Sequence, residues 1–232
     1  MKLIESELYR EGYFKRINFI SSYLLNFLEE KIKNAANGIS CDKFDYSYYQ
    51  SIGDNYSLSQ KFLDSESHRN NLRKISRLHK DPEIKSEFIN FLNKKLSLEG
   101  KYKISIFRFT AFRKPPKSEK SLSFHQDIGM DWDSSNEKNL YVLWIPFVYC
   151  NKNNGSLMVF AKSHHKGVIG NGTHLNDNDL DLIKKSHELH HVEANRGDVI
   201  FFDPKLVHGS GSNLDNKERW AINVLFSINK IL

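Results

Sequence analysis

The stretch SFHQD, residues 123–127, and the run GDVIFFDPKLVHGSGSNLDNKERWAIN, residues 197–223, organise this chain. In the first stretch one residue separates His125 from Asp127, so both side chains point the same way on an extended strand. An imidazole and a carboxylate on one face can occupy neighbouring positions on a divalent metal ion. The first stretch therefore predicts two metal ligands at a strand end.

The second run contains the expected third ligand, His208, and small residues at 209–212 that allow a ligand to come close. Two histidines and one carboxylate on one side of an ion leave its other side open, as in non-haem Fe(II) oxygenases. Arg219 begins the next alternating segment, and a guanidinium there can hold the far carboxylate of a 2-oxo acid in a two-pronged pair. Taken alone, Arg219 would more simply form a surface pair with Asp215 or Glu218.

Composition places the chain among ordinary globular proteins. It has 232 residues and a net charge of +6, and no basic run is interleaved with aromatic residues, which disfavours nucleic-acid binding. A cationic surface can instead attract an anionic substrate. No apolar run approaches the roughly 20 residues that span a bilayer, and no signal peptide is evident. Cys41 and Cys150 form no metal or redox pattern, so we expect reduced thiols and a cytoplasmic protein of unassigned oligomeric state.

The first hundred residues are expected to be mostly helical. Apolar residues at three- and four-residue steps predict an amphipathic helix from Phe14 to Lys33. Residues 40–57 show no clear period and are expected to be irregular, and spaced apolar residues between Leu58 and Leu78 predict one or two further helices. Asp81-Pro82-Glu83 predicts another helix start, because a capping carboxylate precedes a proline in the first turn.

From Lys101 the apolar period changes to two, and strands separated by turn signals continue to the C-terminus. The predicted strands cover residues 102–109, 140–149, 156–160, 199–202 and 218–228, with a short helix near 179–185. Helices followed by many short strands predict a mainly β, α+β fold, a sandwich or barrel with helices packed on one sheet. We expect one domain over residues 1–232, with a mostly helical part at 1–100 and a β core at 101–232.

Four runs of the chain resemble, in order, the phytanoyl-CoA dioxygenase family: FRKPPKSEKSLSFHQD at 112–127, LYVLWIPF at 140–147, NNGSLMVFAKSHHKG at 153–167 and GDVIFFDPKLVHGSGSNLDNKERWAINV at 197–224. Members of this family are Fe(II)- and 2-oxoglutarate-dependent oxygenases with a double-stranded β-helix, or jelly-roll, core. The resemblance implies this cupin-like core for residues 101–232. It also implies hydroxylation of an unactivated C–H bond of a small molecule, with O₂ consumed and succinate and CO₂ released.

The resemblance assigns roles to residues around one site. The iron ligands that it implies are His125, Asp127 and His208. The residues that it implies for 2-oxoglutarate binding are Arg219, Ser210, Lys114 and Trp144, with Asn213 as a structural hydrogen-bonding residue. Because Asp127 supplies a carboxylate where the family's halogenases carry a small residue, hydroxylation is favoured over halogenation.

The chain departs from the family at Ala161-Lys162-Ser163-His164, where many relatives have Pro-Gly before Ser/Thr-His. That loop commonly borders the substrate, so the resemblance carries no particular substrate over to this chain. Three histidines in this region, His164, His165 and His174, are interpreted as surface residues, with substrate contact by one of them as the alternative.

Three other functions compete with an oxygenase. His187-Glu188-Leu189-His190-His191 satisfies the HExxH pattern of zinc proteases, but Asn195-Arg196-Gly197 breaks the chain soon afterwards, so a polar segment of histidines before a strand is the simpler interpretation. A non-catalytic cupin-like module could hold a metal or ligand without Arg219. A zinc hydrolase could use the same three ligands as the oxygenase.

Overall fold

The computed structural model describes residues 2–36, 47–52, 55–59, 72–129, 139–170 and 175–231. In chain order its elements are α1 (Lys2–Glu11), β1 (Tyr13–Arg16), α2 (Ser22–Ala36), β2 (Ser47–Ile52), β3 (Asn55–Ser59), β4 (Leu72–Ser76), α3 (Pro82–Leu96), β5 (Tyr102–Lys114), β6 (Leu122–His125), β7 (Leu140–Pro146), β8 (Leu157–Phe160), α4 (Asp177–Ser186), β9 (Leu189–Val192), β10 (Val199–Phe202), β11 (His208–Ser210) and β12 (Arg219–Lys230). Short 3₁₀ turns cover Leu78–Lys80, Lys152–Asn154 and Ser163–Lys166.

The strands form two antiparallel sheets. The large sheet has the order β1-β10-β7-β12-β5-β4-β2-β3, and the small sheet has the order β6-β11-β8-β9. Side chains from both sheets pack together in one apolar cluster between them, which contains Trp144 and Ile200 from the large sheet and Leu157 and Val159 from the small one. This arrangement matches the predicted mainly β sandwich.

Central strands of the large sheet are buried on both faces. In β7 the odd-numbered residues from Tyr141 to Ile145 pack toward the helices, whereas Val142 and Trp144 pack toward the small sheet. A strand covered on both sides needs apolar residues at nearly every position. Double burial therefore explains the continuous apolar run at residues 140–147.

The alternation predicted for the last strand is confirmed. In β12, Ile222 and Val224 belong to the cluster that contains the helices, and Ala221 and Leu225 belong to the cluster between the sheets. The inward face of β12 also carries Arg219, so the strand presents this arginine to the space between the sheets.

The helices cover the outer face of the large sheet, as expected. Apolar residues of α1, α2 and α3, such as Leu8, Leu28 and Phe88, share one cluster with the outer residues of β5, β7, β10 and β12. Helix α3 begins where it was predicted, because the Asp81 carboxylate accepts hydrogen bonds from the backbone N–H groups of Glu83 at 2.9 Å and Ile84 at 3.2 Å. None of the described helices is long and apolar enough to cross a membrane.

The helix predicted from Phe14 to Lys33 is wrong at its N-terminal end. Residues Tyr13–Arg16 form β1, which pairs with β10, and the Phe14 ring stacks on Phe201 with centroids 5.0 Å apart. Helix α2 starts only at Ser22, and Ile17, expected on the buried face, is 70% exposed. Local periodicity cannot reveal pairing with a strand so distant in sequence, and this pairing decides the conformation of the segment.

The expected helices between Leu58 and Leu78 and the irregular segment at 40–57 also need correction. Residues Ser47–Ile52, Asn55–Ser59 and Leu72–Ser76 are strands β2, β3 and β4, which extend the large sheet beyond β5. Their neighbours at 37–46 and 60–71, with Cys41, lie outside the described residues, as do residues 130–138 and His174. A single domain over the whole chain stays a prediction.

Candidate active site

Strand pairing in the small sheet brings the three predicted metal ligands together. His125 ends β6 and His208 begins β11, and the two residues are direct partners in the antiparallel register. Asp127 follows β6, where its backbone N–H donates to the carbonyl of Pro204 at 2.8 Å. One ligand atom from each of the three side chains lies within 4.8 Å of the others, and among the described residues this is the one such group of three.

Backbone carbonyls orient both imidazoles. Nδ1 of His125 lies 2.8 Å from the carbonyl oxygen of Ser123, and Nδ1 of His208 lies 2.9 Å from that of Leu206. A carbonyl oxygen can only accept, so each Nδ1 carries the proton and each Nε2 keeps a lone pair. This is the tautomer that a metal-binding histidine needs when Nε2 is the ligand.

Burial keeps the imidazoles neutral. It lowers the pKa of His125 to about 3, with a further contribution from the neighbouring His208, and it also lowers the pKa of His208. A histidine must be unprotonated to bind a metal. Both rings are therefore in the binding form at neutral pH.

The Asp127 carboxylate is ionised although it is buried. Burial alone would raise its pKa, but Arg108, the two neighbouring histidines and the hydrogen bond from Asn223 together outweigh this effect, and the pKa lies at about 2. Arg108 Nη2 donates to Oδ1 of Asp127, and Asn223 Nδ2 donates to Oδ2 at 3.1 Å. The site thus offers two neutral nitrogens and one anionic oxygen, a set that suits Fe(II).

Gly209 allows the two ligand-bearing strands to lie this close. A Cβ atom at residue 209 would sit 2.7 Å from the carbonyl oxygen of Leu122 and 3.3 Å from the Phe124 ring. The small residues after His208 were expected to let a ligand come close. In the structure, Gly209 instead allows the backbone of β6 to come close.

Arg219 is buried beside the same cavity. It is 2% exposed, Nε lies 3.5 Å from the carbonyl oxygen of Asn154, Nη2 donates to the carbonyl of Gly155, and the guanidinium lies 5.7 Å from the Trp144 ring centroid. Glu218, the alternative surface partner, pairs instead with Arg113 at 2.6 Å. The simple surface pair is therefore wrong for Arg219.

Lys114 is the direct cross-strand partner of Arg219. Its Nζ donates to the carbonyl of Lys120 at 3.2 Å, and burial together with the nearby charge of Arg219 lowers its pKa to about 7. Two buried cations side by side are costly without an anion. The pair is therefore suited to bind a carboxylate.

All seven predicted site residues line a single cavity of about 400 Å³ between the sheets. They are His125, Asp127, His208, Arg219, Ser210, Lys114 and Trp144. Asn213 is not among these lining residues, and its buried Nδ2 is within hydrogen-bonding distance of three carbonyl oxygens, those of Lys114, Pro115 and Lys217.

Comparison with known proteins agrees with this geometry. Residues 29–221 match the family model of phytanoyl-CoA dioxygenase (PhyH). The chain belongs to the phytanoyl-CoA dioxygenase family. Peroxisomal phytanoyl-CoA dioxygenase from Bos taurus is 30% identical over 126 residues, which cover 49% of this chain and 36% of the relative. The Mus musculus enzyme is 32% identical with the same coverage, so the chain spans about a third of the length of these relatives.

Solved structures show the same fold. SnoK, a non-heme alpha ketoglutarate dependent carbocyclase from nogalamycin biosynthesis, superposes with a TM-score of 0.69 at 15% identity, covering 98% of this chain and 83% of SnoK. EctD from S. alaskensis with 2-oxoglutarate and 5-hydroxyectoine gives a TM-score of 0.64 at 17% identity, covering 97% and 75% of the two chains. The predicted double-stranded β-helix core and the family resemblance are confirmed.

Sequence analysis missed three polar residues around the ligands. Arg108 and Asn223 contact the Asp127 carboxylate, and Gln126 joins two loops, because Nε2 donates to the carbonyls of Gly167 at 2.8 Å and Lys205 at 2.5 Å. The alternation of side chains along β5 and β12 could have indicated Arg108 and Asn223. Arg108 shares a face of β5 with Lys114, and Asn223 shares a face of β12 with Arg219.

The HExxH segment does not form a zinc-protease helix. Helix α4 ends at Ser186, and His190 and His191 lie in β9, paired with β8. The two histidines of the pattern are His187, just beyond the end of α4, and His191, in β9, so they do not lie one helical turn apart as the zinc-protease motif requires. His164 is buried, with Nε2 3.2 Å from the carbonyl of Tyr9, which corrects its interpretation as a surface residue.

We predict that Gly209→Ala destabilises the protein and weakens metal binding. The added methyl group must move the β6 backbone away from β11, which should cost about 1–3 kcal/mol of unfolding free energy and separate His125 from His208. Chemical denaturation and Co(II) titration measure the two effects. The control is Gly211→Ala, whose Cβ would have no neighbour nearer than 3.8 Å. Equal behaviour of the two variants would contradict the close-approach role of Gly209.

We also predict that 2-oxoglutarate affinity falls as pH rises through neutrality. Lys114 loses its charge above a pKa of about 7 in the protein without cosubstrate, and a bound carboxylate favours the charged form, so binding takes up a proton. Between pH 6.5 and 8.5 the dissociation constant on Co(II)-loaded, oxygen-free protein should rise about tenfold. Calorimetry in buffers of different ionisation enthalpy measures the affinity and the proton uptake. In Lys114→Arg, whose side chain stays charged, both effects should vanish; their persistence would assign them to another group.

Proposed function

We propose that this protein is an Fe(II)- and 2-oxoglutarate-dependent dioxygenase that hydroxylates an unactivated C–H bond of a small molecule. One observation carries the proposal: a triad of metal-binding atoms from His125, Asp127 and His208 lines the same cavity as the buried cations Arg219 and Lys114. A metal module alone would not need these cations.

The three ligands would hold Fe(II) on one side and leave its other side open to the cavity. Arg219 and Lys114 would bind the distal carboxylate of 2-oxoglutarate and thereby orient its keto-acid end toward the metal, with the Ser210 hydroxyl as a further donor. Trp144 would pack against the cosubstrate and exclude water. When bound, iron, 2-oxoglutarate and O₂ supply the oxidation, with release of succinate and CO₂.

Asp127 supports hydroxylation rather than halogenation, since its carboxylate fills the position that a halide would need. The Arg219–Lys114 pair also argues against the zinc hydrolase and the cupin-like binding module, because neither function requires two buried cations beside the metal ligands. We further propose a cytoplasmic location, which the buried, free thiol of Cys150 fits.

We predict a weak visible charge-transfer band when Fe(II) and 2-oxoglutarate are added without oxygen. The band should be absent in Asp127→Ala, because the triad loses its anionic ligand. In Arg219→Lys it should appear only at cosubstrate concentrations at least about tenfold higher, with unchanged metal affinity, because a lysine cannot form the two-pronged pair. Admission of O₂ should then give succinate. Absence of the band in folded wild-type protein, or tight binding of zinc alone, would favour the zinc hydrolase or the binding module.

We propose that the substrate is an anionic small molecule. The described lining of the cavity contains seven basic residues and one carboxylate, that of Asp127. Besides Arg219 and Lys114, these basic residues are Arg73, Lys74 and Lys120, together with Arg108 and Arg113, which pair with Asp127 and Glu218. Lys74 and Arg108 lie close enough to Asp127 for their charges to interact with it, so the positive potential extends to the metal triad.

We predict that carboxylate- or phosphate-bearing compounds stimulate succinate release and that their neutral esters or amides do not. Lys74→Met should raise KM for such a compound several-fold without changing the dissociation constant of 2-oxoglutarate. Raising the ionic strength should raise KM further in wild type than in the variant, since salt screens the attraction. A panel in which neutral compounds stimulate turnover equally well would contradict an anionic substrate.

A further inference from the structure

Arg108 has a role at the site that neither sequence motifs nor the family resemblance assign, if the site is the oxygenase site of the proposed function. Arg108 lies on β5, opposite Leu225 of β12. Its guanidinium contacts Asp127 at two points: Nη2 donates to the side-chain oxygen Oδ1, and Nη1 donates to the backbone carbonyl oxygen at 3.2 Å. One planar group thus ties the carboxylate to its own main chain.

The two carboxylate oxygens of Asp127 have different surroundings. Oδ2 lies 3.7 Å from Nε2 of His208, the lone-pair nitrogen of the second histidine, and it accepts the bond from Asn223. Oδ1 is turned toward Arg108. The oxygen beside Nε2 of His208 is therefore Oδ2, while Oδ1 is held by the guanidinium.

This difference matters for how many metal positions the protein occupies. A carboxylate that binds through one oxygen leaves three positions of a six-coordinate ion open, enough for the two donor atoms of a 2-oxo acid and for O₂. A carboxylate that turns about its Cβ–Cγ bond and binds through both oxygens would take one of these positions. The contacts of Arg108 with Oδ1 and with the backbone oppose that rotation.

We propose that Arg108 is a positioning residue that restricts Asp127 to one-oxygen metal binding and so keeps the cosubstrate positions open. The exposure of the pair agrees with such a role. The Arg108 side chain is 36% exposed and that of Asp127 is 5% exposed, so the ion pair contributes modestly to folding while controlling a buried ligand.

The test uses Co(II) as the metal probe, without substrate or oxygen, so that turnover plays no part. The variants are Arg108→Met, which keeps the aliphatic stem without a donor, and Arg108→Lys, which restores one donor. The matched control is Arg16→Met, which removes an arginine of similar exposure, 34%, that pairs with Glu7 and does not line the cavity. Thermal denaturation verifies that each variant is folded.

In Arg108→Met we expect the affinity of the Co(II)-loaded protein for 2-oxoglutarate to fall about 10- to 100-fold. The affinity of the protein for Co(II) itself should change by a smaller factor. The visible absorption of bound Co(II) should also shift before cosubstrate is added, because Asp127 now binds through both oxygens. Arg108→Lys should recover part of both effects, and Arg16→Met should match wild type.

Each other result counts against the inference. If Arg108→Met binds Co(II) and 2-oxoglutarate like wild type, Arg108 has no positioning role. If only Co(II) affinity or thermal stability falls, with the spectrum and relative cosubstrate affinity unchanged, the residue acts through charge or packing alone. If wild-type protein itself binds no Co(II) or no 2-oxoglutarate, the proposed function fails, and that failure shows before any variant is compared.

Discussion

The antiparallel pairing of β6 with β11 is the constraint on which the site depends. It sets His125 opposite His208, and the absence of a side chain at Gly209 lets the two strands approach to the distance at which both imidazoles can share one ion. The backbone carbonyls of Ser123 and Leu206 then choose the tautomer of each ring. The ligand geometry is thus a property of the backbone of the small sheet, and the side chains follow from it.

The large sheet forms the other side of the cavity, and its inner face carries buried charged side chains. Its outer face is sealed by α1, α2 and α3, so its inner face can carry Lys114, Arg219 and Asn223 among apolar residues without exposing the core. Buried charges that lack an internal partner carry a high desolvation cost. The fold tolerates that cost because the charged end of β12 meets the turn at Asn154 and Gly155, whose carbonyls accept hydrogen bonds from Arg219.

Much of the fold and of the candidate site could be predicted from the sequence, wherever the local pattern of apolar residues reflects burial in the folded protein. The alternation of β12 predicted which face carries Arg219, and the continuous apolar run of β7 reflected burial on two sides. The errors lie where the pattern was ambiguous. Phe14 to Arg16 fits a helical period as well as a strand, and only its pairing with β10 decides the matter. Strand β2 has no clear apolar period, and the spacing of apolar residues around β4 favoured a helix. Strands β2 to β4 exist as an extension of a sheet whose edge the sequence does not show.

The sequence by itself determined the family, the donor set and the face of β12 that carries Arg219, because residue type and a period of two are local properties that need no knowledge of distant neighbours. Only the tertiary structure decided what surrounds those donors. In the folded protein Arg108 donates to Oδ1 of Asp127, and Asn223 donates to Oδ2. His164, expected at the surface, is buried, and Lys114 lies close to the charge of Arg219. These relations join residues far apart along the chain, and their energies depend on distance and burial, which arise only when the sheets have packed.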